Sequence, residues 1–532
     1  MRVVLTAPVA SHIHHSLAPW CLKAYAEAKG FTGAIRILEL TANDLPDQAV
    51  AAIIAENPDL LGFSCYIWNI TFISIVAAAV KKLRPDVTII LGGPEVSFER
   101  DLSAFPFADA IIAGPGETLF WEYLQQDGKH PALLPPEKPL LPFAQIPTPY
   151  TQAFFDAFGS KGMGHRLVYY EGSRGCIYRC SYCLSSLTCD LETLPLERVF
   201  ADLALLASRG ARRIKCVDRT FNADPDRTFQ LLAFIKHLQT NCVFHFEAAP
   251  DLFNEETLQL INSMPIGRMQ LEMGIQSVNP KTLTAVLRTA DIDQALSAIA
   301  RISQPNNVHT HVDLIAGLPY ETPGSFREAV NRCLAARPHT LQIGFLKLLK
   351  GSALTDAAKA YGLLACDHPP YEVMQTDTLT YCQMRNIKAV EEVLDKYYNS
   401  GLFTQAVRLG MDKLFPNAYT FFAAFADYIG DLRKPKTSLK EAYGLLCRFL
   451  IMHGGGEEAK ESVKRDIFSH SDKAMLPDIL RSLRDPAREM AWMQKNARVR
   501  IERFAFDGVT RVYDLNTRHP VTGEYLLLEE KP

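Results

Sequence analysis

Short β-branched runs closed by glycine or proline alternate with helix-length segments along the first 350 residues, and the alternation runs twice. In the first 130 residues the strand candidates are RVVLTAP, AIRILEL, DLLGFSCY, VTIILGG and ADAIIAG. Helices are predicted over Ala18–Gly30, Gln48–Glu56 and Thr71–Leu83. Strands joined through helices pair in parallel, so this stretch is expected to form a doubly wound, Rossmann-like sheet. Ligands of such sheets bind outside the carboxyl ends of the strands, where APVASHIHHS, SCYIWN, GGPEVSFE and GPGET fall. From residue 166 six further strand candidates follow: RLVYYEG, RIKCVD, VFHFEAA, RMQLEMG, THVDLIAG and TLQIGFLKLL. Helical segments follow the first five. The pattern is that of a TIM-type barrel cut to six units, a partial (β/α)6 barrel.

The rest of the chain is organised around these two sheets. Residues 131–163 are proline-rich (PALLPPEKPLLPFAQIPTPY) and read as an extended linker. Residues 356–532 read as mainly helical, with RVRIERFAF, GVTRVYDL and GEYLLLEE as strands of a small terminal sheet. The expected division is therefore 1–130, 131–163, 164–355 and 356–532. Net charge is -3 with no long basic run, so nucleic acid is not an expected partner. No apolar run approaches the roughly 20 residues of a membrane helix. MRVVLTAPVA has no signal-peptide pattern behind it, so the chain is expected to be cytoplasmic. Twelve cysteines in such a setting point to metal or catalytic roles rather than disulfides.

Three of those cysteines, Cys176, Cys180 and Cys183, stand in GCIYRCSYC directly after the first barrel strand. A structural zinc site wants four ligands, usually as paired CxxC units; here only Cys189 is near enough to be a fourth. A [4Fe–4S] cubane on three thiolates, with its fourth iron left open, explains the spacing better. The motif resembles the CxxxCxΦC signature of the radical S-adenosylmethionine (SAM) superfamily, with Tyr182 at the aromatic position. The resemblance implies that SAM binds the open iron. It places Asp218 and Thr220, in VDRTFN, as contacts to the methionyl amine, although the common GGE is absent. It also places Glu272 and Gln276, in LEMGIQS, at the ribose, and Ala316 and Gly317, in LIAGLPYET, beside the adenine. The plain alternatives are a helix cap for Asp218 and a strand-end carboxylate for Glu272.

The first sheet lacks G-x-G-x-x-G after its first strand, which disfavours a nicotinamide cofactor. With GFSCYIWN, LGGPEV and AGPGET in order, it resembles the cobalamin-binding domain found upstream of many radical SAM barrels. Ser64, Gly92 and Gly93 match positions lining the nucleotide-tail pocket, and Gly114, Gly116 and Glu117 match the last loop. The D-x-H-x-x-G that supplies a cobalt-bound histidine is missing. IHHSLAP, with His14 at the matching position, instead resembles a radical SAM subgroup, so no His–Co bond is expected. His12 and His15 read as members of a solvated loop. Together the resemblances imply a cobalamin-dependent radical SAM enzyme, a methyltransferase acting on an unactivated carbon of a small molecule or peptide and supplied by a flavodoxin- or ferredoxin-like electron donor. Alternatives are a cobalamin-dependent radical cyclase or rearrangement catalyst, and a non-catalytic corrinoid or Fe–S sensor.

Overall fold

The first sheet contains β1 (Arg2–Thr6), β2 (Ala34–Ile37), β3 (Leu60–Ser64), β4 (Thr88–Gly92), β5 (Ala110–Ile112) and β6 (Leu133–Leu134), in a computed structural model of the chain. The structure describes residues 1–99, 101–126, 133–134, 141–159, 162–187, 190–430, 437–471, 476–483, 486–493 and 498–531. Strand order is β2-β1-β3-β4-β5-β6, with every pair parallel. Alternate residues of a strand face opposite sides. Val3 and Leu5 accordingly pack with Ala26, Phe120 and Tyr123, from the helices Leu17–Ala28 and Glu117–Gln125. Val4, Leu61 and Ile89 pack with Ile53, Ile73 and Val76, from Pro46–Ala55 and Ile70–Leu83. Strand order reverses between β1 and β3, which makes the loops after these two strands the expected ligand crevice.

The barrel strands are β7 (Leu167–Tyr170), then, past a short antiparallel pair, β8 (Ser173–Arg174) with β9 (Glu192–Thr193), β10 (Arg213–Cys216), β11 (Val243–Ala248), β12 (Met269–Gln276), β13 (His309–Ala316) and β14 (Thr340–Phe345). The sheet runs β14-β13-β12-β11-β10-β7, so six strands form it and the eight of a closed barrel are not reached. The intervening helices start where the sequence supplies caps. Asp224, Asn254 and Asp291 accept the backbone N–H of Arg227, Thr257 and Gln294.

The chain divides into two compact units. The first comprises Met1–Ala248 with Thr284–Thr289 and Leu346–Met374, and so includes the first sheet, the cysteine loop and strands β7, β10 and β11. The described part of the proline-rich stretch packs within this unit: Phe143, Tyr150 and Phe154 are buried. The second unit holds β12, β13 and β14 and the C-terminal region. Within it the Asn399 carboxamide accepts from Leu341 N–H and donates to Leu341 O, both at 2.9 Å, so a side chain completes the backbone pairing of β14. Its helices close over buried aromatic rings, among them Tyr397, Phe421, Phe425, Tyr443 and Phe449. After β15 (Leu364–Ala365) and β16 (Val373–Gln375), which pair with each other, come β17 (Val499–Phe504), β18 (Val509–Arg518) and β19 (Tyr525–Lys531). These last three form the small antiparallel sheet expected at the terminus. Among the described residues no helix is long and apolar enough to cross a membrane.

Candidate functional site

The cysteine loop begins where β7 ends, and Asp218 determines how it turns. This buried carboxylate, just past β10, accepts the Gly172 N–H at 3.0 Å and the Ser173 hydroxyl at 2.5 Å. Burial pushes its carboxyl up to about 6, against the pull of those two hydrogen bonds. Asp218 is not a helix cap: Asp224 takes that role for the helix Pro225–His237. Thr220, also buried, brings its Oγ1 to 3.6 Å from Cys176 Sγ. Gly172, Ser173, Asp218 and Thr220 line one cavity.

Cys176 and Cys180 are buried and Cys183 is half-buried, as is Tyr182 in the same turn. Tyr178 N–H points at Cys176 Sγ at 3.5 Å, and the Arg288 guanidinium reaches Cys180 Sγ at 3.8 Å. Arg288 comes from Thr284–Thr289, which joins this unit because Ser181 N–H donates to Val286 O at 3.0 Å. Its neighbour Leu287 holds a left-handed φ of 55°. Donors directed at sulfur suit thiolates, so the residues present fit an iron–sulfur cluster. Among the described residues no three His, Cys, Asp or Glu side chains converge on a single metal ion. A cubane asks for no such convergence, because each thiolate binds a different iron. Cys189 lies outside the described residues.

The loops of the first sheet belong to the same unit. Asn69, fully buried, donates to Pro8 O at 3.0 Å and Ser64 O at 3.1 Å and accepts from Tyr66 N–H at 2.7 Å. It staples the loops after β1 and β3 together. Ser64, at the end of β3, is buried. Gly93 has φ 98°, and a Cβ there would lie 2.6 Å from Cys65 O; Gly92 has ordinary room. Gly114 has φ 75°, and a Cβ on Gly116 would crowd Leu22. Glu117 is buried and paired with Arg174 at 2.9 Å; Arg174 also holds Glu171 at 2.8 Å.

The histidine loop differs from expectation. His12 is exposed, but His15 is buried against Phe154, Phe158 and Tyr169, with Nδ1 3.0 Å from Leu167 O. Burial lowers its pKa to about 4, so it is neutral near pH 7. His14 Nδ1 lies 2.7 Å from the Tyr169 hydroxyl on β7. Leu167 N–H donates to Ile13 O, and Arg166 pairs with Glu39. The loop thus straps the first sheet to β7 rather than standing in solvent.

The structure gathers Cys176, Cys180, Cys183, Asp218 and Thr220 in the first unit. Tyr182, His14, Ser64, Gly92, Gly93, Gly114, Gly116 and Glu117 belong to the same unit, whereas Glu272, Gln276, Ala316 and Gly317 belong to the second. Glu272 lies mid-strand on β12, in register with His311, not at the strand end. Gln276 ends β12 with φ 68°, and its Oε1 is buried without a hydrogen-bond partner. Ala316 ends β13 and Gly317 follows with φ 89°. Sequence reasoning missed Arg288, Arg174, Asn69 and Tyr169. Asn69 alone carried a local signal, as an asparagine at the start of a helix.

Comparison with known proteins fits this geometry. The B12 binding domain family matches residues 3–124, and the Radical SAM superfamily matches residues 170–333. The family described as a protein of unknown function, DUF4080, matches residues 359–512. The chain thus carries, in order, a B12 binding domain, a Radical SAM domain and a DUF4080 region. Among curated relatives, the 2-(S-pantetheinyl)-carbapenam-3-carboxylate methyltransferase of Streptantibioticus cattleyicolor is 24% identical over 74% of this chain and 64% of its own length. The cobalamin-dependent radical SAM methyltransferase TokK of Streptomyces tokunonensis is 27% identical over 60% of this chain and 51% of its own length. This chain thus spans less than two thirds of either relative. Among solved structures, the cobalamin-dependent SAM radical enzyme OxsB with aqua-cobalamin bound aligns at a TM-score of 0.60 and 13% identity, over 87% of this chain and 78% of that one. The radical SAM methyltransferase TsrM of Kitasatospora setae, with cobalamin and a [4Fe–4S] cluster bound, aligns at 0.56 and 18%, over 72% and 79%. At these identities the likeness to solved structures is one of fold.

Proposed function

We propose that the protein is a cobalamin-dependent radical SAM methyltransferase that acts on an unactivated carbon of a small molecule or peptide. The observation that carries this reading is that the three-cysteine loop and the strand-end loops of a B12-binding sheet lie in one compact unit. When bound, the cluster with SAM supplies a 5′-deoxyadenosyl radical and the corrin carries the methyl group. The chain's own residues hold and orient. Cys176, Cys180 and Cys183 are the cluster ligands. Asp218 fixes the entry to their loop through Gly172 and Ser173. Tyr178 N–H and Arg288 put partial and full positive charge at two of the sulfurs, which favours the thiolate state. Thr220 stands beside Cys176, where SAM would meet the cluster. An electron donor of flavodoxin or ferredoxin type completes the system.

Anaerobic reconstitution tests the reading. About four irons per chain are expected, absent in Cys176→Ala, Cys180→Ala and Cys183→Ala and kept in Cys189→Ala. With its substrate under reducing conditions, the enzyme should form S-adenosylhomocysteine and 5′-deoxyadenosine in near-equal amounts, together with a methylated product. If 5′-deoxyadenosine accompanies turnover and no labelled methyl reaches product, the reaction is a cyclisation or rearrangement. If SAM is not cleaved although the cluster is intact, the protein is a sensor and not an enzyme.

A further inference from the structure

Leu346–Met374 follows β14 in sequence but packs in the first unit, where it touches two loops. Leu354 N–H donates to Ser181 O at 2.8 Å, inside the turn from Cys180 to Cys183. Farther along, Tyr371 Oη donates to Glu95 Oε1 at 2.5 Å, in the loop after β4. Lys350 Nζ lies 3.5 Å from that same oxygen and 2.6 Å from Glu99 Oε1. Gly351, with φ 82°, leaves the Phe98 ring the space a Cβ would occupy. A bridge between Lys347 and Glu372 holds the two ends of the segment side by side.

Glu95 is only 5% exposed. A carboxylate buried to that degree is tolerated when a donor and a cation meet it. Here Tyr371 supplies the donor and Lys350 the cation, both from this segment. Burial and the charge of Glu95 push the Tyr371 phenol above its ordinary range, so it stays a donor at any working pH. One segment therefore grips a strand-end loop of the B12-binding sheet and the cysteine loop at once.

We propose that Tyr371 and Lys350, acting through Glu95, are positioning residues that set how far a corrin on the first sheet stands from a cluster on the three cysteines. The inference rests on the function proposed above and deepens it. Neither residue touches a reacting atom. Each acts by fixing the loop Gly93–Glu99 relative to Ser181.

The test uses the full chain, reconstituted with iron and sulfide, loaded with hydroxocobalamin and reduced until cluster and cobalt each carry one unpaired electron. Their dipolar coupling falls with the cube of their separation, and electron paramagnetic resonance reads it directly. The parent should give one well-defined coupling. Tyr371→Phe combined with Lys350→Met should keep iron and cobalamin, yet show a weakened or widely spread coupling. Cys366→Ser, at an exposed position of the same segment, should match the parent. An unchanged coupling in the double variant overturns the proposal, as does an equal loss in Cys366→Ser. If the double variant loses its cofactors, Tyr371→Phe alone is measured and the same two outcomes decide. A parent that takes up no cobalamin, seen by absorbance before any coupling is recorded, counts against the functional reading instead.

Discussion

His15 shows how a residue can look idle in sequence and be structural in the fold. Nothing in HIHHS separates its three imidazoles, because burial is decided by Phe154, Phe158 and Tyr169, more than 130 positions away. Its folded pKa of about 4 lies below the ordinary 6.5. Between those values the unfolded chain takes up a proton that the folded chain refuses. The contribution is therefore complete above about pH 6.5 and falls as pH drops toward 4, by up to about 3 kcal/mol. Urea unfolding at pH 7.5 and pH 5 should show about 2 kcal/mol of that loss in the parent and much less in His15→Leu; equal losses would reject the assignment. His14 was legible as a loop residue of the first sheet, but its commitment to Tyr169 was not. With D-x-H-x-x-G missing, bound cob(II)alamin should show no nitrogen superhyperfine splitting. A triplet pattern that vanishes in His14→Ala would establish an axial histidine.

Elements were the most legible level, because period and punctuation are local. All six barrel strands and the parallel strands β1 to β5 stand within the short apolar runs that mark them in the sequence, most of them closed by glycine or proline. The two-residue strands β6, β8, β9 and β15 carry too few positions for any period to show. The adjacent glycines at the end of β4, Gly92 and Gly93, look interchangeable in sequence and are not. Gly93 needs its positive φ and the missing Cβ to let Cys65 O approach, whereas Gly92 does not. Gly93→Ala should cost at least about 1–2 kcal/mol in unfolding free energy, with Gly92→Ala near the parent. Equal costs would mean that the turn relaxes freely. Asp218 belongs here too: its partners on the neighbouring loop, Gly172 and Ser173, come from strand pairing, which the sequence does not display.

At the scale of the whole molecule, legibility fell furthest. Domain types followed from pattern and motif, but Thr284–Thr289 and Leu346–Met374 leave their sequence neighbours to pack in the first unit. No local signal announces such returns, and Arg288, Lys350 and Tyr371 arrive through them. Inside that unit Arg174 neutralises the buried Glu117 of the first sheet from the start of the cysteine loop. Arg174→Met should strand that carboxylate and cost about 3 kcal/mol, and adding Glu117→Gln should recover part of it. A double variant no more stable than the single would show that Arg174 matters through its other partner, Glu171. The Tyr371–Glu95 contact spans 276 residues of sequence. A ribosome adds about 5–20 residues per second. The loop after β4 therefore waits on the order of 15–55 s for the partner that completes it. During translation the first sheet is made long before its clamp, and a growing chain passes through a stage at which a corrin could enter an unlocked site.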